Sequence, residues 1–254
     1  MADLFKTRAL VIHTIRWSES SKIVHLFTES KGYMKVVAKG ALRPRSPFRG
    51  TLESLNEVEA IISVKESREL QVLTSVALLH AFMNIRADLP KTATALAIFE
   101  LVEKLFRTHE PVKPFYRYLV ALLLKLDAAQ IREPWGILWH FLFHFSQILG
   151  FGWQLTTCRI CGGSPQAFPV FLDHISGSLC CARCALHKPP KGPGLNREQW
   201  HMVQQLQTPA IDKLDQFPGA PLQGQEEAFT EILLKHLAYH TDISLELKSL
   251  KWFH

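Results

Sequence analysis

The 254-residue sequence carries no G-x-x-x-x-G-K-[ST] loop, no G-x-S-x-G elbow and no paired carboxylates in a recognisable catalytic setting. ATP-driven and hydrolytic chemistry have no foothold in it, and the expectation is a protein that is not an enzyme. Long uninterrupted apolar runs are also missing. The N-terminal stretch MADLFKTRALVIHTIRW is broken by Lys6, Arg8, His13 and Arg16, which predicts no signal peptide. The most apolar segment, WGILWHFLFHFSQILGFGW from Trp135 to Trp153, contains His140, His144, Ser146 and Gln147. A bilayer span needs about twenty predominantly apolar residues, so this segment is predicted to be a buried core helix. Together these absences predict a cytoplasmic chain with no membrane partner and with reduced thiols.

One region lacks acids altogether. Between Ser30 and Thr51 stand six cations, Lys31, Lys35, Lys39, Arg43, Arg45 and Arg49, and no Asp or Glu. Clustered like charges repel, and a polyanion that neutralises them while releasing counterions is the simplest reason to keep them together. Tyr33 and Phe48 lie among these cations, where aromatic rings can stack on bases at about 1–3 kcal/mol each. The expected nucleic-acid residues are therefore Lys31, Tyr33, Lys35, Lys39, Arg43, Arg45, Phe48 and Arg49. The net charge of +6 and pI near 9.1 agree with a polyanionic partner.

Composition is that of a folded protein, with 47% hydrophobic and 20% charged residues. From Thr7 to Val76, short β-branched runs broken by Gly, Ser and charged turns predict five strands. These are Thr7–Arg16, Lys22–Thr28, Tyr33–Lys39, Glu57–Lys65 and Glu69–Val76, enough for a small barrel. Alternation in the third strand sets Met34, Val36 and Ala38 on one face and Tyr33, Lys35, Val37 and Lys39 on a basic, partly aromatic other face. After Leu78 the spacing becomes helical, with segments at Leu79–Ala87, Thr92–Arg107, Pro114–Ala129 and Pro134–Leu149, and later at Asn196–Gln207 and Gln225–Thr241. Between them, Gly150 to Gly194 reads as an irregular insert ending in HKPPKGPG. The expected architecture is α+β and multidomain: a five-stranded barrel at 1–79, then an all-helical domain at 80–254 with a small zinc-binding insert at about 151–192.

Cysteine is scarce but gathered. Four of the five cysteines form two C-x-x-C pairs, Cys158/Cys161 and Cys181/Cys184, with nineteen residues between them. Each such pair turns back to present two thiolates, and two pairs complete the tetrahedral shell of one structural Zn²⁺. Gly162 and Gly163 follow Cys161 and permit the tight turn that aims amides at sulfur. Cys180 can replace Cys181 only with a C-x-x-x-C spacing. A thioredoxin-type redox pair belongs where a strand enters a helix, and neither pair is predicted there. The H-x-E and P-C-x-x-C signature of zinc deaminases is absent. His140 and His144, four apart, are read as core histidines because the glutamate of H-E-x-x-H is missing.

The segment VVAKGALRPRSPFRGTLESLNEVEA, Val36 to Ala60, resembles the signature region of the RecO family of bacterial DNA repair and recombination mediators. The order of parts agrees along essentially the whole chain, with LTTCRICGG and GSLCCARC in the place of that family's zinc module. The resemblance implies an N-terminal OB-fold followed by a helical domain. It implies binding of single- and double-stranded DNA, annealing of complementary strands and, with RecR, loading of RecA onto strands coated by single-stranded DNA-binding protein in the bacterial cytoplasm at the nucleoid. Two departures stand beside it: the extra Cys180, and sparse acids near the second strand. The rival readings are a zinc-ribbon RNA-binding or transcription accessory factor, which would use the same barrel and loop, and a metal-dependent nuclease.

Overall fold

The computed structural model describes residues 3–106, 113–130, 134–187, 192–207, 211, 222 and 224–253. The expected helix end at Arg107, Pro111, and positions 188–191 of the proline-rich stretch lie outside the described residues. The chain divides into two compact units, Met1–Ala128 and Ala129–His254.

In the first unit, β1 (Asp3–Arg16), β2 (Lys22–Thr28), β3 (Gly32–Ala38), β4 (Glu57–Val64) and β5 (Gln71–His80) form a closed barrel in the order β1-β2-β3-β5-β4. All neighbours are antiparallel except β3 and β5, which are parallel. This is the OB-like barrel expected from the first part of the chain. Alternation explains its core. Ala9 and Val11, Val24 and Leu26, Met34, Val36 and Ala38, and Val58, Ala60 and Ile62 all point inward at every second position. The loop between β3 and β4 adds Phe48 and Leu52 to the same cluster.

Helix α1 (Met83–Ala87), α2 (Leu89–Leu105) and α3 (Lys113–Ala128) belong to this unit. The helix expected at Leu79–Ala87 is shorter than its spacing suggests. Strand β5 runs on to His80, paired with Glu57, and the left-handed Phe82 (φ 44°) breaks the chain before α1. Asp88 caps α2 by accepting from the Lys91 amide, with Pro90 in the first turn. The helices cover one outer wall of the barrel. Phe27, which alternation turns outward, meets Phe106 at 5.6 Å and Phe115 at 5.8 Å, both edge-on.

In the second unit, α4 (Trp135–Ile148) is buried on nearly every side, as expected of a core helix. It packs on α6 (Arg197–Leu206) and α7 (Glu226–Thr241). Trp139 Nε1 donates to Thr230 Oγ1 at 2.9 Å, and His140 Nδ1 lies 2.8 Å from the Leu206 carbonyl oxygen. Asn196 and Gln199 form a reciprocal capping box that starts α6. The segment expected to be irregular is instead a small sheet. β6 (Gln154–Cys158), β7 (Val170–Asp173), β8 (Ser178–Cys180) and β9 (Gly194–Leu195) lie in the order β6-β8-β7-β9, with α5 (Ala182–Ala185) after β8. Strands this brief carry too few residues for alternation to show in sequence. A 3-10 turn at Ser249–Phe253 closes the chain.

Candidate nucleic-acid interface and metal centre

Lys31, Lys35, Lys39, Arg43, Arg45 and Arg49 are all exposed. Among the described residues none of them takes part in a salt bridge; Lys31 lies over the Phe5 ring at 4.6 Å. The loop that carries the arginines is built from successive tight turns. Backbone bonds run from Arg43 to Gly40, Ser46 to Arg43, Arg49 to Ser46 and Thr51 to Phe48, at 3.0–3.3 Å. Gly40 starts the series at φ 74°, with the Arg43 side chain lying against it. Asn56 Nδ2 donates to the carbonyls of Gly50 and Thr51 at 3.0 and 2.9 Å, and Arg86 donates to Asn56 Oδ1 at 2.8 Å. The cations therefore sit on a shaped surface.

Two of the eight expected nucleic-acid residues are placed differently. Phe48 is 7% exposed and packs in the barrel core, where it anchors the arginine loop from below. Tyr33 is 8% exposed beneath α2, with its hydroxyl donating to Glu103 Oε1 at 2.6 Å. Burial removes both ring faces from any base. Alternation alone could not show that helices cover the outer face of β3. One exposed aromatic was missed: Trp17, 62% exposed, in the turn between β1 and β2. That turn is closed by Trp17 N to Ser21 O at 2.9 Å and tied to the loop by Leu42 N to Ser20 O at 3.0 Å. A tryptophan inside the Ser-rich turn RWSES was the signal available in the sequence.

The thiols of Cys158, Cys161, Cys181 and Cys184 converge, with all four sulfurs within 4.8 Å of one another. They can hold one metal ion. Cys180 is not one of the four, and its thiol bonds the Cys181 carbonyl at 3.7 Å, so the C-x-x-C register is the one that converges. Each pair occupies its own turn. Gly162, at φ 71°, lets its amide reach the Cys158 carbonyl at 2.8 Å, while Cys158 N donates to Gly163 O at 2.9 Å. The Cys181 amide points at Cys158 Sγ at 3.4 Å.

This donor set fits a metal better than it fits four free thiols. Burial pushes the Cys158 thiol up, but the amides of Cys181, Cys161 and Ile160 outweigh it and bring its pKa to about 6. Cys161 is also lowered, first by the Gly163 amide. Cys184 is pushed up to about 12, by burial first and then by its hydrogen-bonded neighbours Cys181, Cys161 and Cys158. Amides aimed at Cys158 and Cys161 favour thiolates there, and a bound dication would neutralise the negative charge that four converging thiolates gather. One expectation needs correcting: the second pair does sit where a strand enters a helix, with Cys181 between β8 and the short helix α5 and Cys184 within α5. What sets it apart from a redox pair is the convergence of both pairs on one point.

The insert is pinned to its own unit through backbone carbonyls. Trp200 Nε1 and Gln204 Nε2 donate to Leu155 O at 2.9 and 3.0 Å, and Gln207 Nε2 donates to Trp153 O at 3.0 Å.

Comparison with known proteins agrees with both halves. The family model for the recombination protein O N terminal matches residues 1–82, and that for the recombination protein O C terminal matches residues 86–251. The chain belongs to the RecO family. Its relatives include the DNA repair protein RecO of Anaeromyxobacter sp. strain K, 31% identical over 237 residues covering 92% of each chain. The DNA repair protein RecO of Salinibacter ruber is 35% identical over 149 residues, 58% of this chain and 56% of that one. That of Exiguobacterium sp. is 28% identical over 235 residues, 92% of this chain. The junction between the two RecO family models falls close to the change from strands to helices, whereas α1 to α3 are compact with the barrel. No helix among the described residues is long and apolar enough to cross a membrane.

Proposed function

We propose that this chain is a non-enzymatic DNA repair protein that acts as a recombination mediator. It binds single- and double-stranded DNA, anneals complementary strands and, with RecR, helps RecA load onto strands coated by single-stranded DNA-binding protein. The carrying observation is the set of six exposed cations without acidic partners among the described residues, on a closed OB-like barrel. Lys31, Lys35, Lys39, Arg43, Arg45 and Arg49 contact phosphates. Trp17, at the edge of that surface, stacks on an unpaired base, a role in which the buried Tyr33 and Phe48 have no part. Neutralising two polyanions on one basic surface lowers the barrier to their encounter, so annealing requires no ATP.

Cys158, Cys161, Cys181 and Cys184 hold one structural Zn²⁺. A four-thiolate shell is closed and leaves no position for substrate, which makes the ion a staple for the insert. The names borne by the RecO relatives support the repair role, and the thiol geometry supports the metal.

Annealing of complementary strands pre-coated with single-stranded DNA-binding protein tests the mediator reading. Acceleration by the protein, lost with R43A/R45A/R49A, is expected. Strong preference for RNA over single-stranded DNA without any acceleration of annealing would overturn it in favour of an RNA-binding or transcription accessory factor. Cleavage of labelled DNA with Mg²⁺ or Mn²⁺ would instead revive a nuclease.

A further inference from the structure

Away from the cysteines, the outer wall of the barrel holds a second convergence of metal-ligating side chains: His13 on β1, His25 on β2 and Glu103 on α2. Their ligand atoms lie within 4.8 Å of one another. A β-bulge brings this about. Val11 pairs with Leu26, but the next pair is His13 with His25, so Ile12 is the extra residue. An extra residue reverses the alternation that follows it. Without the bulge His13 would follow Val11 into the core. With it, His13 stands beside His25 on the outside, ring centroids 3.8 Å apart. Glu103, near the end of α2, then divides its carboxylate between the two rings. Oε1 lies 2.9 Å from His25 Nδ1 and Oε2 lies 3.1 Å from His13 Nδ1. The Tyr33 hydroxyl contacts His25 Nδ1 and donates to Glu103 Oε1.

Two imidazoles and a carboxylate suit first-row divalent ions of borderline softness, and three protein ligands leave positions open for water. Access is available. The side chains of His13 and Glu103 are 36% and 28% exposed, while His25, at 7%, forms the floor.

We propose that His13, His25 and Glu103 form a second site for a divalent transition-metal ion, with two nitrogen ligands and one carboxylate, open to solvent and clamping α2 to strands β1 and β2. It is weaker and more exchangeable than the thiolate centre because it lacks soft anionic ligands and retains water. The competing account is a hydrogen-bonded latch that binds no ion.

Zn²⁺ and Co²⁺ titrations of the full chain separate the two accounts. The parent protein is expected to take up two ions, the first with a thiolate-to-Co²⁺ charge-transfer band and the second with ligand-field absorption alone. His13→Ala and Glu103→Gln should each retain the first ion and its band, which also reports correct folding, and weaken the second by roughly tenfold or more. A parent that binds only one ion, or a second ion held equally well by both variants, would overturn the site. Should the variants fail to fold, X-ray absorption on the doubly loaded parent decides. Imidazole scattering around the second Co²⁺ supports the site, and an oxygen-only shell refutes it.

Discussion

Strands of 7–14 residues close the N-terminal barrel, whereas strands of 2–5 residues make up the cysteine-bearing sheet. The barrel has no free edge and encloses thirteen buried core residues. The insert cannot enclose a core of its own. It leans on Trp200 and Gln204 through the Leu155 carbonyl, and its turns meet at four sulfurs. The barrel is stable through apolar burial, whereas the smaller sheet removes less surface from water and brings four sulfurs together where they could hold a metal ion. Charge is divided as well: the loop from Gly162 to Cys180 contains no Lys or Arg, while the barrel carries six exposed cations that form no salt bridge among the described residues.

The sharpest way to break this contrast is to remove a thiolate. Cys158→Ser should abolish uptake of the ion that gives the thiolate-to-Co²⁺ band and expose the segment 154–187 to protease, while DNA affinity changes by less than about threefold. Bound metal and limited proteolysis read the first part, and fluorescence anisotropy on labelled DNA reads the second. A variant that has lost the thiolate-bound ion and still melts like the parent would show that the ion is no staple. For the barrel the matching test is Phe48→Ala, which should cost about 3–5 kcal/mol in denaturant unfolding of the first unit, the usual loss for a buried phenylalanine. A stable variant that only loses DNA affinity would return Phe48 to the binding face.

Three Ala substitutions at Arg43, Arg45 and Arg49 should weaken DNA binding similarly for all sequences. They should also reduce the salt slope for single strands by about 2, since each lost phosphate contact removes roughly 0.7. An unchanged slope would move the DNA path off this loop. Trp17→Ala should cost about 1–3 kcal/mol on single strands and little on duplex, measured by paired titrations.

The smallest effect concerns acid. His140 is held below the ordinary 6.5 by burial, opposed by the Leu206 carbonyl and reinforced by His144, and His144 is lowered by burial. Both are neutral when folded, so the unfolded chain takes up protons first. Their contribution to stability is full above pH 6.5 and is lost as pH falls below it. The thermal midpoint of the second unit should fall by a few degrees between pH 7 and pH 5, and H140Q/H144Q should flatten that slope.

Much of the barrel was legible because five runs of alternating residues each bury one face; Met34, Val36 and Ala38 lie inward as expected. The convergence of the four cysteines was legible because spacing alone brings two thiols together in each pair. The burial of Tyr33 was not legible because alternation defines two faces and is silent on what covers the outer one, and that of Phe48 was not because a loop residue has no period at all. His25 and Glu103 are 78 positions apart, and His13 reaches them only through a bulge that shows itself once β1 has a partner. Such features depend on register between elements, which no local pattern encodes.

The edge strands β6 and β9 lie in one sheet, and they are where the insert leaves and rejoins the helical unit. The insert is tied to the helices at its root and again further out. Trp200 and Gln204 of α6 hold the Leu155 carbonyl, Phe168 lies against the Trp200 ring at 5.7 Å with Arg197 over its face at 5.3 Å, and His236 of α7 lies 2.7 Å from the His174 carbonyl. The insert is thus a fitted part of the helical unit: exchanging it for a plain hairpin would uncover Trp200 on α6 and cost His236 on α7 one of its two carbonyl partners.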